Sequence, residues 1–485
     1  MFNQKFKKGS FFRNFTVLMS GEALAHAFNM VINIILARKL APDSYGLYAL
    51  FLTYVTLFFT FSTFGLRRIV IRCIARDQDS SKKYFVISLV LRFYGVILSS
   101  IGFIVYNKIN PVFDDNYIVL MILAGVFLQS YWEGFQNVAF GMERMETTSY
   151  INVGMSFILL LTYLCMDSSL ITVKLIIGIY IINFFAKDCL YLFSLFKQRL
   201  IKGVYRYEKS EFRLLQKNML TDSMPYYILN IFSLVSTQLP ILFLNSNSSI
   251  TEVSYFNIAN KLLLPMTLFI HSALVALFPN QAKEFVRNQQ RFTTKASLML
   301  YFISVVGTIS CLIISLFKNE VVLLLYGENY ASTGNVLTLQ CWYMILFSMF
   351  GFIGNTLGAA DKQKWIASLS IFYACVNAPL LWYCSKNGAI GLSYGYIVGA
   401  LLNMTYHIYY LQKAMPVKIP TRTFICFFGV MLSGFIFSIV IPETISIFLR
   451  CIIVLVIFVI LFLYRGRLLA CLLYTSPSPR DTERS

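Results

Sequence analysis

The chain has 485 residues, of which 58% are hydrophobic and 13% are charged, and its mean hydropathy is +0.67. Soluble domains carry roughly 25% charged residues, so this composition excludes a soluble globular protein. The 41 Lys and Arg against 22 Asp and Glu give a net charge of +19, which in a soluble chain suggests a nucleic-acid partner. In a membrane protein the excess records orientation, because cytoplasmic loops retain Lys and Arg. We therefore expect membrane lipids, and no nucleic acid, as partners.

The first predicted element is a membrane helix that follows a basic N-terminus. Its apolar run contains Glu22 and His26 and shows no small-residue cleavage site, so we interpret it as a retained helix and not as a signal peptide. Further apolar runs reach the ~20 residues that cross a ~30 Å hydrocarbon layer. Backbone groups in lipid have no partner outside a helix, so the runs predict an all-α polytopic membrane protein. In chain order the fourteen predicted membrane helices are 15–37, 46–66, 84–106, 117–140, 150–166, 170–196, 222–244, 253–279, 296–317, 333–358, 364–384, 388–411, 422–440 and 444–464.

The Lys and Arg residues divide unequally when the N-terminus is assigned to the cytoplasm and the side alternates at each predicted helix. When Lys174, Lys364 and Arg422, near the starts of their predicted helices, are counted with the adjoining segments, thirty-one fall in inside segments, six in outside segments and four within helices. A missed helix would scramble every later segment, so the division supports both the helix count and the assignment. The sequence predicts a multi-pass protein of the bacterial cell (inner) membrane with a cytoplasmic N-terminus.

A basic linker, 197–221, separates the first six predicted helices from the rest. Within it the pattern near 208–217 predicts a short amphipathic surface helix, with Phe212 and Leu215 toward lipid. A solvated linker held by anionic lipid is the alternative. Asp222 begins the seventh predicted helix and is interpreted as its N-terminal cap.

A weak internal repeat relates the two sides of this linker. PDSYGLYAL (42–50) follows the first predicted helix and ITEVSYFNI (250–258) follows the seventh, at an offset of 208 residues. An even number of helices intervenes, so the repeat predicts two bundles of the same orientation, related by a pseudo-two-fold along the membrane normal, with a cavity between them. Helix-start chemistry alone is the alternative. The predicted domains are an N-terminal six-helix bundle (1–196), the linker (197–221), a C-terminal six-helix bundle (222–411), two extra helices (412–467) and a tail that resembles translated vector sequence (474–485).

The stretch ILARKLAPDSYGLYALFLTYVTLFFTFSTFGLRRIVIR (35–72) resembles the opening of the polysaccharide flippases. These are the O-antigen and exopolysaccharide exporters of the multidrug/oligosaccharidyl-lipid/polysaccharide superfamily. YFNIANKLLLP, LFPNQAKEF and LYGENYASTGNVLTLQ in the second half are similar to the same family. The sequence departs from the family at Ser254, where Gly is frequent.

The resemblance implies two six-helix bundles followed by two further helices. It implies alternating access that moves a lipid-linked oligosaccharide from the cytoplasmic to the outer leaflet, with undecaprenyl diphosphate as the usual carrier. Polysaccharide polymerase and chain-length proteins are the further partners that it implies.

Polar residues inside the predicted helices are the first candidates for function, because a charge at mid-membrane costs at least ~2.5 kcal/mol on insertion scales. One face of the first helix carries four of them at spacings of three or four residues: Glu22, His26, Asn29 and Asn33. We expect this face to line the central cavity, where Glu22 and His26 would carry a coupling proton. A structural hydrogen-bonded pair is the alternative.

Two cations inside the predicted helices suit an anionic substrate. Arg92 in the third helix and Lys261 in the eighth lie at related depths of opposite halves, and the planar guanidinium binds phosphate oxygens bidentately. We expect them to bind the diphosphate or an acidic sugar, with snorkelling to an interface as the alternative. Glu133 and Asp188 are two further acids expected to face the cavity.

The sequence shows none of the patterns of a metal or catalytic site. Its ten cysteines form no CxxC pair and its three histidines no ligand-spaced cluster, so we expect no metal, no resident cofactor and no enzyme activity. No Walker loop is present, which excludes ATP as the direct energy source and leaves a proton or sodium ion for coupling.

Three functions fit these observations to different degrees. The leading hypothesis is a lipid-linked oligosaccharide flippase. A cation-coupled multidrug extruder is the first alternative, although such transporters usually have twelve helices and acidic cavities. A membrane glycan polymerase or ligase is the second, although such enzymes commonly carry a large outside loop.

Overall fold

The computed structural model describes residues 8–167, 171–202, 209–360, 362–415, 417–440, 449–450, 452 and 456. Over these residues the regular structure consists of α-helices and two short 3₁₀ turns, with no strand. The predicted all-α fold is therefore confirmed. Most of the last predicted helix, 444–464, and the whole tail, 474–485, lie outside the described residues.

The chain forms two compact units, Met1–Leu242 (unit 1) and Phe243–Ser485 (unit 2), and each is described by itself. The helices up to the boundary are α1 (Lys8–Lys39), α2 (Pro42–Ser62), α3 (Leu66–Arg76), α4 (Ser81–Ile109), α5 (Asn116–Gly141), α6 (Met145–Cys165), α7 (Val173–Lys197), α8 (Lys209–Thr237) and α9 (Leu239–Asn247), which crosses it. Those of unit 2 are α10 (Ile250–Arg287), α11 (Gln289–Leu316), α12 (Lys318–Tyr326), α13 (Thr333–Ala359), α14 (Gln363–Cys384), α15 (Gly388–Ala414) and α16 (Thr421–Val440).

Ten of the described helices are long and apolar enough to cross a membrane, judged by length and composition. The number rises to eleven if α8 and α9, which meet at a 40° bend, form one span. Helices α14 and α15 occupy the predicted eleventh and twelfth spans but are not among the ten. The count of fourteen therefore stays a prediction.

Hydrogen bonds between loops show which ends of the unit 1 helices lie together. The Ser81 hydroxyl, at the start of α4, donates to the Leu200 carbonyl after α7 at 2.9 Å and accepts from the Lys202 amide at 2.8 Å. Lys83 pairs with Glu211 of α8 at 2.7 Å. We call this end, where α2, α5 and α7 finish and α4, α6 and α8 begin, the basic end of unit 1.

A hydrophobic cluster closes the basic end. Leu66, Ile69 and Val70 of α3 are buried in it together with residues of α4, α5 and α7. Phe212 and Leu215 of α8 pack against the same cluster, so the prediction that they face lipid from a separate surface helix is wrong. The physical reason is that α8 continues without a break from Lys209 to Thr237, and its first turns cover apolar side chains of the unit.

The repeat in the sequence corresponds to two helix starts. Helix α2 begins at Pro42 and α10 at Ile250, the same position of the repeat. The two helices then differ, because α2 stops at Ser62 whereas α10 runs to Arg287. Phe64 and Gly65 have φ of 48° and 67°. This left-handed conformation separates α2 from α3, and Gly65 adopts it without a Cβ penalty.

The interior of unit 2 contains polar groups that are mostly uncharged. The hydroxyls of Tyr343 and Tyr373 are 3.1 Å apart, and the Gln340 amide donates to the Ser393 hydroxyl at 2.9 Å. Among the described residues Arg450 is the one charged side chain buried in this unit; its guanidinium donates to the Leu316 carbonyl at 2.7 Å.

Candidate functional site

The polar face of α1 is open along most of its length. Glu22 and Asn33 are half-buried, and His26 and Asn29 are exposed. In the part of the chain that the structure describes, neither Glu22 nor His26 has a hydrogen-bond partner. A polar face of this kind on a membrane helix requires water or a polar ligand beside it, because lipid offers no hydrogen bonds.

Hydrogen bonds hold the two asparagines of this face. Asn29 donates to the Ala25 carbonyl at 2.9 Å and to the Ser156 hydroxyl of α6 at 3.5 Å. Asn33 donates to the Asn29 carbonyl at 2.6 Å. The Tyr45 hydroxyl of α2 donates to the Asn33 side chain at 3.2 Å. The face thus presents amide and hydroxyl groups with fixed directions, which suits hydrogen bonding to a neutral polar ligand.

Arg92 lies inside unit 1 and not on an open surface. Its side chain is 0% exposed; it donates to the Glu133 carboxylate of α5 at 2.6 Å and to the Ser130 carbonyl at 2.9 Å. The structure thus brings two of the predicted site residues together as a buried ion pair. In this conformation the Arg92 fork is occupied by the protein itself, and Arg67 of α3 lies 3.9 Å from the other Glu133 oxygen.

Lys187 and Asp188 occupy another part of the unit 1 interior. Asp188 is 6% exposed, and its Oδ1 has no hydrogen-bond partner among the described atoms. The Lys187 ammonium lies 4.6 Å from the centre of the Trp132 ring of α5. Trp132 and Gln136 also have buried polar atoms without described partners and lie beside the Tyr191 hydroxyl. Asp188 thus lies in a buried polar region of α7 beside Tyr191.

Lys261 belongs to unit 2. It lies on α10 with a half-buried side chain, and the described residues give it neither an ion pair nor a hydrogen bond. Arg92 and Lys261 are in different units, so their proposed partnership remains a prediction from the sequence.

Asp222 does not cap a helix. It lies near the middle of the continuous α8, and its carboxylate accepts from Arg72 at 2.7 Å. The capping interpretation is wrong because the helix begins thirteen residues earlier, at Lys209. Arg72, one of the basic residues that follow the second predicted span, therefore has an acidic partner in α8.

Sequence reasoning missed α3 as an element. It assigned Leu66 to Arg76 to the end of a membrane helix and a loop. The structure instead forms an eleven-residue helix in which four apolar residues are buried and the arginines are exposed. The signal was present in FGLRRIVIRCIAR. There a glycine precedes apolar residues and arginines that recur at helical spacing. Burial raises the pKa of the Cys73 thiol within α3, so this cysteine stays protonated beside the arginines.

The arrangement is that of a polytopic, all-helical membrane transporter. Lipid II flippase MurJ in an inward closed conformation is similar, with a TM-score of 0.70 and 14% identity over 93% of this chain and 100% of that one. An inward-facing multidrug resistance MATE transporter of the MOP superfamily has a TM-score of 0.64 and 14% identity over 82% and 98%. A MATE transporter of Vibrio cholerae has 0.54 and 14% over 87% and 98%. At such identities the likeness establishes the fold.

The family follows from the sequence. The family model described as polysaccharide biosynthesis protein matches residues 11–285, more than half of the chain, and the protein belongs to this family. Its family and fold are those of transporters and flippases and not of enzymes, and the predicted resemblance is confirmed. No curated protein matches the sequence.

Proposed function

We propose that the protein flips a lipid-linked oligosaccharide repeat unit, carried on an undecaprenyl-diphosphate type lipid, from the cytoplasmic to the outer leaflet by alternating access. The observation that carries the proposal is the open polar face of α1 in a member of the polysaccharide biosynthesis family. Amide and hydroxyl groups from Asn29, Asn33 and Ser156 match the hydroxyl-rich surface of a sugar. The fold shared with a lipid II flippase supports a lipid-linked substrate.

In this proposal the protein lies in the bacterial inner membrane with its N-terminus in the cytoplasm. The distribution of Lys and Arg supports this orientation, because most of the Lys and Arg residues in the loops of unit 1 lie at its basic end. Single cysteines placed beside Asp79 and Asp114 test it. The first should react with a membrane-impermeant thiol reagent only after permeabilisation, and the second in intact cells.

Glu22 and His26 are the proposed coupling groups. Both lie on the open face of α1, four residues apart, where a carboxylate and an imidazole can exchange a proton with water. Transport by Glu22→Gln and His26→Gln variants should lose its dependence on an imposed proton gradient. Loss of a sodium dependence instead would identify sodium as the coupling ion.

The test of flipping is a deletion strain complemented with variants of the gene. Deletion should leave the repeat unit on the cytoplasmic leaflet and remove the surface polysaccharide, and the wild-type gene should restore it. Asn29→Leu should restore little, whereas Thr162→Val should restore fully, because the exposed Thr162 hydroxyl bonds only its own helix at 2.9 Å. Normal surface polysaccharide in the deletion strain would contradict the proposal.

The MATE-like fold makes drug extrusion the competing function. The deletion strain should keep its resistance to cationic drugs if the protein is a flippase. Increased drug sensitivity together with normal surface polysaccharide would favour extrusion.

A further inference from the structure

Helix α3 presents four arginines on its exposed side. Leu66, Ile69, Val70 and Ile74 are buried against unit 1, whereas each arginine of the helix is exposed: Arg67, Arg68, Arg72 and Arg76. The helix follows directly on the membrane helix α2, so its position along the chain places it at a membrane surface. Amphipathic basic helices at that level meet the anionic headgroups of one leaflet.

The charge of this arginine face is only partly neutralised by the protein. Arg72 is paired with Asp222 at 2.7 Å. Arg67 lies 3.9 Å from Glu133, a carboxylate already bound more closely by Arg92. Arg68 and Arg76 have no carboxylate within 4.0 Å among the described residues. The arginine face is therefore a net cationic surface.

Two other cations at the basic end are each paired with an acid. Lys83 binds Glu211 at 2.7 Å, and Arg144 lies 3.4 Å from Glu146. In the described part of this end the four arginines of α3 share the carboxylates of Asp222 and Glu133, so α3 retains a net positive charge.

Two of the arginines are held by aromatic rings. The guanidinium carbon of Arg67 lies 5.6 Å from the centre of the Phe140 ring, and that of Arg68 lies 5.0 Å from the centre of the Tyr226 ring. Contact through the flat face of a guanidinium leaves its N–H edge available for bidentate bonds to phosphate. The rings also restrict the two side chains before a ligand arrives, which lowers the entropy that binding must overcome.

We infer that the arginine face of α3, through Arg67 and Arg68 in particular, binds the diphosphate of the carrier lipid at the predicted cytoplasmic surface, before the sugar enters the transport path. This inference rests on the proposed function. A diphosphate fits better than a single phospholipid phosphate, because it offers two adjacent phosphoryl groups and more negative charge to two neighbouring guanidinium groups. Arg92 and Glu133 would then act as positioning residues for Arg67, since Glu133 lies between the two arginines.

The test measures binding of undecaprenyl diphosphate to the purified full chain in nanodiscs of neutral lipid. We expect Arg67→Gln and Arg68→Gln each to weaken binding ~10-fold, the loss of one charge-assisted contact. Arg144→Gln, at the same end but outside α3, is the matched control and should bind as wild type. Arg68→Lys keeps the charge but not the fork, and an intermediate loss of ~3-fold is expected.

Competition for binding to the wild-type protein shows whether the arginine face prefers a diphosphate to the phosphate of an ordinary phospholipid. Inorganic diphosphate should compete with the carrier, and phosphatidylglycerol at equal concentration should not. Equal competition by phosphatidylglycerol, or unchanged binding by Arg67→Gln and Arg68→Gln at wild-type thermal stability, would overturn the inference and leave the proposed function standing. Absence of binding by the wild type would contradict both. If a Gln variant of α3 does not fold, the binding affinity of Arg68→Lys compared with that of Arg144→Gln tests the inference, and equal affinities would overturn it.

Discussion

The same repeated segment is built differently in the two units. In unit 1 it breaks at Phe64 and Gly65, and the chain continues as the short helix α3; in unit 2 helix α10 continues unbroken to Arg287. The interiors differ as well, since unit 1 buries both partners of the Arg92–Glu133 ion pair. Apart from Arg450, which pairs with the half-exposed Glu320, the described interior of unit 2 is held mainly by neutral hydrogen bonds. The two similar segments thus both start a helix, but the helices that they start have different lengths.

The largest effect is expected from breaking the buried ion pair. Glu133→Gln leaves the Arg92 charge in a site with 0% side-chain exposure, and loss of one partner of a buried pair typically costs about 3–5 kcal/mol. Thermal unfolding of the purified protein in detergent measures the loss. Replacing both partners, as Arg92→Met with Glu133→Leu, should recover much of the stability.

Glu146→Gln is the matched control for this experiment. It removes the acid of the pair with Arg144, whose side chain is 56% exposed, and such pairs contribute about 0–1 kcal/mol. An equal destabilisation by Glu133→Gln and Glu146→Gln would show that the interior of unit 1 does not depend on its ion pair.

A smaller loss of stability should follow when a side chain is introduced at the break between α2 and α3. At Gly65 a Cβ would lie 2.5 Å from the Tyr227 amide nitrogen and 2.9 Å from the Ser223 carbonyl oxygen of α8. Gly65→Ala therefore combines overlap with backbone and a left-handed φ, for an expected loss of about 2–4 kcal/mol in unfolding free energy. Chemical denaturation or thermal unfolding would measure it.

Gly154 provides the matching control within the same unit. A Cβ there meets nothing within 4 Å, and Ala is favoured over Gly in a helix by up to about 1 kcal/mol. Gly154→Ala should thus be neutral or stabilising. If Gly65→Ala behaves in the same way, the break does not require glycine.

The neutral interior of unit 2 should respond more weakly. Tyr343→Phe and Tyr373→Phe each remove one side of the 3.1 Å contact between the two hydroxyls, with an expected cost of about 0.5–1.5 kcal/mol each. A double-mutant cycle should give a double variant less destabilised than the sum, because both changes remove the same hydrogen bond. Strict additivity would argue against a shared bond.

The smallest effect concerns an exposed ion pair at the end of unit 1 opposite the basic end. A hydrogen bond from Lys174 lowers the pKa of the Asp115 carboxyl. The carboxylate form is therefore stabilised by folding, and this contribution is present above about pH 4 and disappears as the pH falls through the lowered pKa. Asp115→Asn keeps the cap on Tyr117 but removes the charge.

Melting curves from about pH 6 to about pH 3 test this assignment. The wild type should melt at a slightly higher temperature than Asp115→Asn at the upper end, and the difference should vanish at the lower end. A difference that is constant with pH would assign it to the hydrogen bond of the cap and not to the charge.

The membrane helices were predictable because length and hydropathy are strong local signals. The predicted 117–140 and 333–358 correspond to Asn116–Gly141 and Thr333–Ala359 in the structure. The break after α2 was not predictable, because hydropathy stays high through Phe64 and Gly65 although these two residues adopt a left-handed backbone conformation. A hydropathy average over about twenty residues does not detect a change of backbone conformation at two of them.

The candidate site was predictable in part for a similar reason. The polar face of α1 was predictable, because residues spaced three or four apart lie on the same face of one helix. The partner of Arg92 lies 41 positions further along the chain, and spacing within a helix cannot identify it. Asp222 was misassigned because the start of α8 depends on apolar contacts of Phe212 and Leu215 with other helices.

Helix α1 is fastened to α6 at three levels. The Ser149 hydroxyl donates to the Val17 carbonyl at 2.9 Å, Asn29 reaches Ser156, and the Lys39 ammonium donates to the carbonyl of Met166 just after α6 at 2.7 Å. Bonds at both ends and in the middle prevent one helix from sliding along the other. In the proposed alternating access, a motion that presents the polar face of α1 to either side of the membrane would carry α6 with it, so that the two helices would move as a pair.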